Sequence, residues 1–279
     1  MITQEFEFRA PDKFDDALSL LAEGGDDIKL LSGGMSLMPM MALGLVRPRL
    51  VLSLNRIDGR SFVREDRDAL RIGAGTRHYE ILHDPLVARH CAVLAEAAAF
   101  VGDMQVRNRG TIGGSLAHAD PAADWPALIL ASDAVIEVLG SGGSRSIKAT
   151  DFFTGLFSTA LQENEIITAI RIPVPEEGTR TVYLKYSNPA SRFAVVGCAV
   201  VRFPGEKTNI AFTGVADTPF RDTAAEKAVS GKALDEANIK EAANAAAEGV
   251  HINGDLFASS EYRKHLAKVF LKRALLAVA

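Results

Sequence analysis

The chain has little cysteine, no run of positive charge and no long apolar stretch. Only Cys91 and Cys198 occur among its 279 residues, too few for a disulfide framework or for the four thiolates of an iron–sulfur cluster, so both are expected as small buried hydrophobes. The net charge of −4, without a basic run, argues against nucleic-acid binding. No stretch approaches the ~20 apolar residues that cross a bilayer, and the first residues lack the pattern of a secretion signal. We therefore expect a cytoplasmic protein without a membrane span.

The composition is that of an ordinary globular protein, and the first part of the chain alternates predicted helices with predicted strands. Its residues are 48% hydrophobic and 24% charged. Helical spacing over 12–23, ended by Gly24-Gly25, is followed by an apolar strand at Ile28–Leu31. A short helix over 37–45 and a buried strand over 50–54 come next. This alternation is typical of an α/β arrangement.

A break in both periodicities at Pro173-Val174-Pro175-Glu176-Glu177-Gly178 predicts a domain boundary. Before it, further helices are expected over 78–82, 86–100 and 126–131. After it, strands are expected over 183–186, 194–202 and 209–215, followed by helices over 235–248 and 260–277. Strands followed by helices indicate a small α+β domain.

Two glycine pairs, each beside hydroxyl residues, interrupt the first part of the chain. We interpret Ser32-Gly33-Gly34-Met35-Ser36 and Gly110-Thr111-Ile112-Gly113-Gly114-Ser115 as tight turns, each between a buried strand and a helical segment. The amide N–H groups of such turns, with a helix N-terminus and a serine hydroxyl, can hold a diphosphate. For each pair, a purely structural turn is the alternative. Neither pair fits the G-x-G-x-x-G or the G-x-x-x-x-G-K-[ST] pattern, which disfavours the common nucleotide-binding folds.

At these glycine pairs the sequence resembles the FAD-binding medium subunits of the molybdenum hydroxylase family, which includes aerobic carbon monoxide dehydrogenase and xanthine dehydrogenase. The segment 32–41 is similar to the first flavin-binding motif of that family, and 105–124 is similar to the second. Shorter matches occur at Thr154-Gly155-Leu156, 163–167 and 197–200. Met35 and Ser115 depart from the family pattern, which more often has Gln or His at the first position and Asn or Asp at the second.

The resemblance implies a mixed α+β fold built from α/β subdomains. Residues 1–175 would form an FAD-binding domain of the vanillyl-alcohol oxidase (PCMH) type, in two subdomains of about 1–57 and 58–175. Residues 179–279 would form a small C-terminal α+β domain of the carbon monoxide dehydrogenase flavoprotein type.

The resemblance also implies which residues contact FAD. The main chain of the first motif and the Ser36 hydroxyl would hold the diphosphate, with 111–115 on its other side, and Phe193 would lie against the isoalloxazine. The full set of expected contacts is Ser32, Gly33, Gly34, Met35, Ser36, Leu37, Val101, Thr111, Ile112, Gly113, Gly114, Ser115, His118, Asp120, Asp124, Ile167, Lys185 and Phe193.

The residues themselves leave other roles open for part of this set. Asp124 could instead cap a helix beginning near Pro126, Lys185 could be solvated within a strand, and Phe193 could be ordinary core. His118 is expected to brace the cofactor loop, because the histidines lack partners at metal-ligand spacing and no metal site is predicted. The default expectation for the basic residues of the last helix is a solvated face, with partner contact as the alternative; these are Arg263, Lys264, Lys268, Lys272 and Arg273.

The resemblance implies an FAD-binding electron-transfer subunit that performs no hydroxylation by itself. A small partner subunit with 2Fe–2S clusters would deliver electrons, and an external acceptor would take them from FAD. A large partner subunit would hold the molybdenum cofactor. The expected assembly is a dimer of heterotrimers. No side-chain catalytic arrangement is evident in the sequence, which fits a role in which the cofactor carries the chemistry. The alternatives are a stand-alone FAD-dependent oxidase or dehydrogenase of a small organic substrate, and a scaffold that has lost its flavin.

Overall fold

A three-stranded parallel sheet forms the N-terminal part of the fold. The computed structural model describes residues 4–24 and 27–279. The first elements are β1 (Glu7–Arg9), α1 (Phe14–Ala22), β2 (Ile28–Leu31), α2 (Leu37–Ala42) and β3 (Leu50–Ser53). The strand order is β1-β3-β2, and both outer strands run parallel to β3. The predicted α/β alternation is confirmed here, whereas Gly25, predicted to end the first helix, lies outside the described residues.

A small apolar cluster holds this sheet against α1. Ala17 and Leu21, four residues apart on one face of the helix, are both buried. They pack in a cluster with Ile28, Leu52 and Ile166. Because Ile166 belongs to a later strand, this cluster also joins the first sheet to the second.

The second sheet has five strands and is antiparallel throughout. Its strands are β4 (Val63–Asp66), β5 (Ala69–Gly73), β6 (Val135–Gly140), β7 (Gly143–Lys148) and β10 (Ile166–Pro173), in the order β4-β5-β10-β6-β7. A two-stranded hairpin, β8 (Phe153–Gly155) and β9 (Ser158–Thr159), lies outside it. The helices of this part are α3 (His78–His83), α4 (Pro85–His90), α5 (Ala92–Phe100), α6 (Met104–Arg107), α7 (Ile112–His118), α8 (Asp124–Ala131) and α9 (Ala149–Phe152).

The helix predicted over 86–100 is divided into α4 and α5. The Asp84 carboxylate accepts hydrogen bonds from the amides of Leu86 and Val87 and so begins α4. At Cys91 the backbone leaves helical geometry, with φ −146° and ψ 56°, and α5 begins at the next residue. The apolar residues on both sides of Cys91 concealed this break, because no glycine or proline separates the two segments.

The C-terminal part is a four-stranded antiparallel sheet with three helices. Its elements are β11 (Arg180–Ser187), β12 (Ala194–Arg202), β13 (Thr208–Thr213), β14 (Phe220–Arg221), α10 (Thr223–Val229), α11 (Glu236–Ala245) and α12 (Ser260–Ala277), with the strands in numerical order. The predicted succession of strands and then helices is confirmed. The sequence did not predict α10, whose seven residues are too short for a clear periodicity and which the Asp222 side chain caps.

Arg263 of α12 corrects the expectation that the basic residues of this helix share a solvated face. Its side chain is buried, and only 7% of the residue is exposed. Lys264, Lys272 and Arg273 are exposed, in agreement with the expectation.

Helix α8 lies between the second sheet and the C-terminal sheet. All eight of its residues are buried, which explains its almost continuous apolar sequence. The C-terminal sheet binds its carboxyl end, because Asn209 donates to the carbonyl of Ala131 and Arg221 donates to that of Leu130. The two parts of the chain therefore share one core around α8.

Candidate functional site

The two glycine segments lie directly against each other. The hydroxyls of Ser32 and Thr111 are 3.0 Å apart and share a hydrogen bond. A Cβ atom added at Gly33 would lie 2.3 Å from the carbonyl oxygen of Arg109 and 2.7 Å from the Cα of Gly110. Only glycine permits this approach of one main chain to the other.

The first segment presents a run of unused amide groups. Within the described residues, the amides of Gly33, Gly34, Met35 and Ser36 donate to no protein acceptor. Gly34 has φ +78°, in the left-handed region, which turns consecutive N–H groups toward a common side. Such a concave row of amides fits an anion, and a diphosphate supplies acceptor oxygens for several of them.

Neighbouring hydrogen bonds hold this segment in place. The Asn55 side chain donates to the Ser32 carbonyl at 3.0 Å and to the Ser53 hydroxyl at 3.2 Å. The carbonyls of Gly34 and Ser36 accept from the amides of Met38 and Met40 in α2. The Ser36 hydroxyl makes no capping hydrogen bond to that helix, so it is available to a ligand. The carbonyls of Ser32, Gly34 and Ser36 therefore hold the turn in place, whereas the amides of 33–36 are unused.

The second glycine segment is not a turn of the same kind. Gly113 and Gly114 lie in the first turn of α7, and short helix α6, rather than a buried strand, precedes the segment. Its amides are already used: those of Ile112 and Gly113 donate to the carbonyls of Thr76 and Ala74, and those of Gly114 and Ser115 donate to Thr111. The prediction of a second tight turn between a buried strand and a helix is therefore wrong, because Thr111 is the N-cap of α7.

His78 and Trp125 hold the second segment in place through a chain of hydrogen bonds, and neither was predicted from the sequence as a site residue. The amide of His78 donates to the carbonyl of Gly110, and the indole N–H of Trp125 donates to Nδ1 of His78 at 3.0 Å. Burial, and secondarily the positive charge of Arg107, lowers the pKa of His78 from 6.5 to about 4. The imidazole is thus neutral at pH 7, with its proton on Nε2, because Nδ1 accepts.

Asp124, Tyr183 and Lys185 form a buried polar cluster where the two parts of the chain meet. The Lys185 ammonium lies 2.8 Å from Asp124 Oδ1 and 2.9 Å from Oδ2, and the Tyr183 hydroxyl donates to Oδ1 at 2.6 Å. Burial raises the pKa of Asp124, and the Lys185 charge and the two hydrogen bonds act against this rise. The carboxylate therefore has a dedicated cation and a dedicated hydroxyl donor.

This cluster corrects two alternatives raised by the sequence. Asp124 does not cap α8, since it is the first helical residue and its carboxylate is turned to Tyr183 and Lys185. Lys185 is not solvated, because none of its side chain is exposed. Tyr183 was missed as a site residue, although its position two residues before Lys185 places both side chains on one face of β11.

Two cations bind the carbonyl end of α5 and so fix the position of Val101. Lys185 donates to the carbonyl of Phe100 at 3.1 Å. Arg107 donates to the carbonyls of Val101 and Gly102, each at 3.1 Å. Positive groups are favourable at a helix C-terminus, where the carbonyls lack partners within the helix.

The remaining predicted contacts surround these groups. Ile167 is buried in β10, at an irregularity of its pairing with β6, and α7 packs against the same strand. The His118 ring lies 5.2 Å from the ring of Phe157, and the Asp120 carboxylate accepts from the amide of Ala122 at 2.8 Å. Burial raises the pKa of Asp120.

Met35 and Phe193 stand at the surface. They are 39% and 44% exposed, so the alternative of Phe193 as ordinary core is wrong. Cys91 and Cys198 are buried free thiols, as predicted. Among the residues that the structure describes, no group of three or more His, Cys, Asp or Glu is placed to hold a metal ion. Across 4–24 and 27–279, no helix has both the length and the apolar character needed to cross a bilayer.

Comparison with known proteins identifies the same two parts of the chain. Residues 4–175 match the model of the FAD binding domain in molybdopterin dehydrogenase, and residues 182–278 match that of the carbon monoxide dehydrogenase flavoprotein C-terminal domain. The chain therefore belongs to the FAD-binding medium subunits of the molybdenum hydroxylase family, and it is a subunit of an oxidoreductase.

Individual relatives are similar over their whole length. The chain is 38% identical to the carbon monoxide dehydrogenase medium chain of Hydrogenophaga pseudoflava, covering 99% of this chain and 97% of that one. It is 37% identical to the glyceraldehyde dehydrogenase medium chain of Sulfolobus acidocaldarius, covering 100% of both. A solved structure of carbon monoxide dehydrogenase from Hydrogenophaga pseudoflava, which lacks the Mo-pyranopterin moiety of its molybdenum cofactor, superposes with a TM-score of 0.96 at 40% identity, covering 100% and 98% of the two chains.

Proposed function

We propose that this chain is the electron-transfer subunit of a molybdenum hydroxylase, acting between 2Fe–2S clusters of a small partner subunit and an external acceptor. The observation that carries the proposal is the concave row of unused amides at Gly33–Ser36, closed on one side by the second glycine segment. When bound, FAD supplies redox chemistry that can exchange electrons singly or in pairs. The protein then needs to bind and orient the cofactor, and it needs no nucleophile or general base of its own.

The proposal keeps every predicted contact and assigns a role to most of them. The amides of 33–36, with the Ser36 hydroxyl and the start of α2 at Leu37, hold the diphosphate. Ser32 and the start of α7 at 111–115 form the wall behind it. Asp124 and Lys185, a buried ion pair where the two parts of the chain meet, would contact the cofactor from that side. The remaining proposed contacts are Val101, His118, Asp120, Ile167 and Phe193.

The proposed assembly is a dimer of heterotrimers in the cytoplasm, with the molybdenum cofactor on a large partner subunit. Two observations support the presence of partner subunits and of the molybdenum cofactor. Relatives similar over their whole length are named medium chains, which implies smaller and larger chains beside them. The solved carbon monoxide dehydrogenase to which a similar chain belongs is also an enzyme with a molybdenum cofactor.

The bound cofactor is tested directly on the purified chain or complex. We expect a yellow protein that releases FAD on denaturation, with electrons passing from the complex to an acceptor dye only when the partner subunits are present. A colourless chain that takes up no FAD on reconstitution would refute the proposal. Turnover of a small organic substrate by the purified chain alone would establish the stand-alone oxidase instead.

Replacement of Gly34 by valine tests the amide row itself. Gly34 and Gly59 both have positive φ, +78° and +72°, so valine at either position strains the backbone similarly. A Cβ at Gly59 meets nothing within 4 Å, which makes Gly59→Val the matched control. We expect both variants to lose stability in thermal unfolding, Gly34→Val more so, because a Cβ there would also lie 3.1 Å from Cγ of Met38 and 3.2 Å from Cδ1 of Leu31, but only Gly34→Val to lose bound FAD. Equal FAD content in the two variants would show that the first glycine segment is merely structural.

A further inference from the structure

The segment from His118 to Asp124, at the end of the second motif (105–124), is held mainly by the C-terminal domain. The amide of Gly214 donates to the carbonyl of Pro121 at 2.7 Å, and the amide of Ala194 donates to that of Ala122 at 3.0 Å. The Thr213 hydroxyl lies 2.6 Å from the carbonyl oxygen of Pro121 and 2.7 Å from that of Ala123. These donors stand at the start of β12 and the end of β13, so the two strand ends act together as a clamp on 121–123.

One buried cation joins the two halves of this clamp. Arg263 of α12 donates through Nη1 to the carbonyl of Val195, at 2.7 Å, and to that of Gly214. The strand ends approach closely, because a Cβ at Gly214 would lie 2.5 Å from the carbonyl oxygen of Ala194 and 2.7 Å from that of Val195. Gly214 also has φ +79°, so both its space and its conformation require glycine.

The position of Arg263 is unfavourable for the helix that carries it. It is the fourth residue of α12, near the end where the helix dipole repels positive charge. Its Nε atom is buried without a hydrogen-bond partner among the described residues, and its counter-ion is Asp255, which contacts Nη2. Helix stability does not explain a buried arginine here, whereas the joining of Val195 to Gly214 does.

We infer that Arg263 is a positioning residue of the FAD site, an inference that rests on the proposed function. It holds the ends of β12 and β13 at the spacing that fixes the main chain of 121–123. Because this loop leads directly into Asp124, Arg263 also fixes the position of Asp124. Arg263 contacts no predicted cofactor ligand itself. Its effect reaches the site through the strand ends: the amides of Ala194 and Gly214 donate to the loop, and the carbonyls of Val195 and Gly214 accept from Arg263.

The chain offers a matched control in Arg202, at the opposite end of β12. Arg202 is also a partly buried cation bound to carbonyls, and it donates to the carbonyl of Lys232 at 2.7 Å and to the Thr208 hydroxyl at 2.6 Å. It makes no hydrogen bond to 118–124 or to the clamp. Arg263→Lys and Arg202→Lys each keep the charge and remove the planar set of donors.

The experiment compares the two variants of the full chain by hydrogen exchange without FAD and by FAD titration. We expect both to lower the unfolding temperature, but only Arg263→Lys to speed exchange of the Ala122 and Ala123 amides, which hydrogen-bond to Asp120. We also expect Arg263→Lys alone to weaken FAD binding about tenfold, the effect of losing one charge-assisted hydrogen bond. The visible spectrum of the remaining bound FAD should change in that variant only.

The outcomes separate this inference from the proposed function. If wild-type chain binds no FAD, the proposed function fails, and faster exchange in Arg263→Lys still supports the clamp. Equal changes in both variants, or unchanged exchange and FAD affinity in Arg263→Lys, would overturn the inference. Should Arg263→Lys not fold, Arg263→Gln has no charge and is too short to keep the Nη1 bonds to the carbonyls of Val195 and Gly214, and wild-type exchange over 119–124 in that variant would overturn it equally.

Discussion

The role of Asp124 depends on its burial and its partners, neither of which can be read from the residue type. A carboxylate with 5% exposure loses most of its hydration, and without partners it would be neutral or destabilising. Lys185 supplies charge and Tyr183 supplies a hydroxyl proton, so both carboxylate oxygens are bound. Buried ion pairs contribute little net stability, but they strongly penalise arrangements in which one partner is missing. The cluster therefore selects one docking of the C-terminal domain on α8.

Removal of the Tyr183 hydroxyl tests this cluster with minimal change of shape. Burial raises the pKa of Tyr183 well above 10, so it is a hydrogen-bond donor at every working pH. We expect Tyr183→Phe to lower the free energy of unfolding by about 1.5–3 kcal/mol, the range for a hydrogen bond to a charged group. Denaturant unfolding measures the loss, and carboxyl NMR should show a further rise in the pKa of Asp124.

Tyr186→Phe is the control for this variant. Tyr186 lies on the same strand but is 40% exposed, and no hydrogen bond joins it to Asp124. A loss of stability in Tyr186→Phe as large as in Tyr183→Phe would contradict the role assigned to the buried hydroxyl.

At the scale of elements, α7 demonstrates close packing of a helix against a strand end. Gly113 lies in its first turn, and its amide donates to the carbonyl of Ala74 just after β5. A Cβ at this position would be 2.5 Å from the Cβ of Ala74 and 2.8 Å from its carbonyl oxygen. The glycine is thus present for contact between elements, since its φ is ordinary for a helix.

Gly113→Ala measures the strength of that contact. Helix propensity alone would favour alanine by about 1 kcal/mol. We expect the clash to outweigh it and to destabilise the chain by about 1–3 kcal/mol, as overpacking of a dense site does. Gly142→Ala, where a Cβ meets nothing within 4 Å, should change stability little in the same thermal or denaturant unfolding. A Gly113→Ala chain as stable as wild type would show that α7 can move without cost.

The FAD-binding part of the chain and the C-terminal domain are held together by the interface at α8. Asp133, just after that helix, binds the side chains of Arg221, Asn209 and Lys207 of the C-terminal domain. Burial acts to raise the pKa of Asp133, but Asn209 and Arg221 prevail and lower it. Together with the Asp124 cluster, this network fastens both ends of α8 to the C-terminal domain.

The stability of the whole chain should depend on pH through His78. Its pKa is lowered to about 4 in the folded chain, so between pH 6.5 and 4 the unfolded state binds a proton that the folded state does not. Stability is unaffected by this group above pH 6.5 and falls as the pH drops through the interval. The expected loss is on the order of 3 kcal/mol, from the size of the shift.

Urea unfolding at several pH values checks this dependence. His78→Asn keeps an acceptor near the Nδ1 position for Trp125 but does not titrate. The variant should be less stable than wild type at pH 7 and should show a flatter pH profile between 6.5 and 4. Parallel profiles for the two chains would assign the pH dependence to other groups.

Much of the fold could be predicted from local patterns, and the exceptions have physical causes. The strands at Ile28–Leu31 and 194–202 were predictable because continuous apolar runs mark buried strands. β1, with three residues, was not, since its pairing with β3 depends on a strand more than forty positions away. The second glycine segment was misread as a turn because the same residue type serves positive φ at Gly34 and close helical packing at Gly113.

The sequence by itself determined the first glycine segment and the alternation of elements around it, because a backbone conformation is specified by consecutive residues. It also carried a family pattern long enough to indicate FAD, and this was confirmed at the level of the family. Tertiary structure alone decided that Lys185 is paired with Asp124, 61 positions away, and that Arg263 joins Val195 to Gly214. The reason is that the burial and the hydrogen-bond partners of a charged residue depend on the folded chain. Its neighbours in the sequence do not specify which distant carbonyl or carboxylate it contacts.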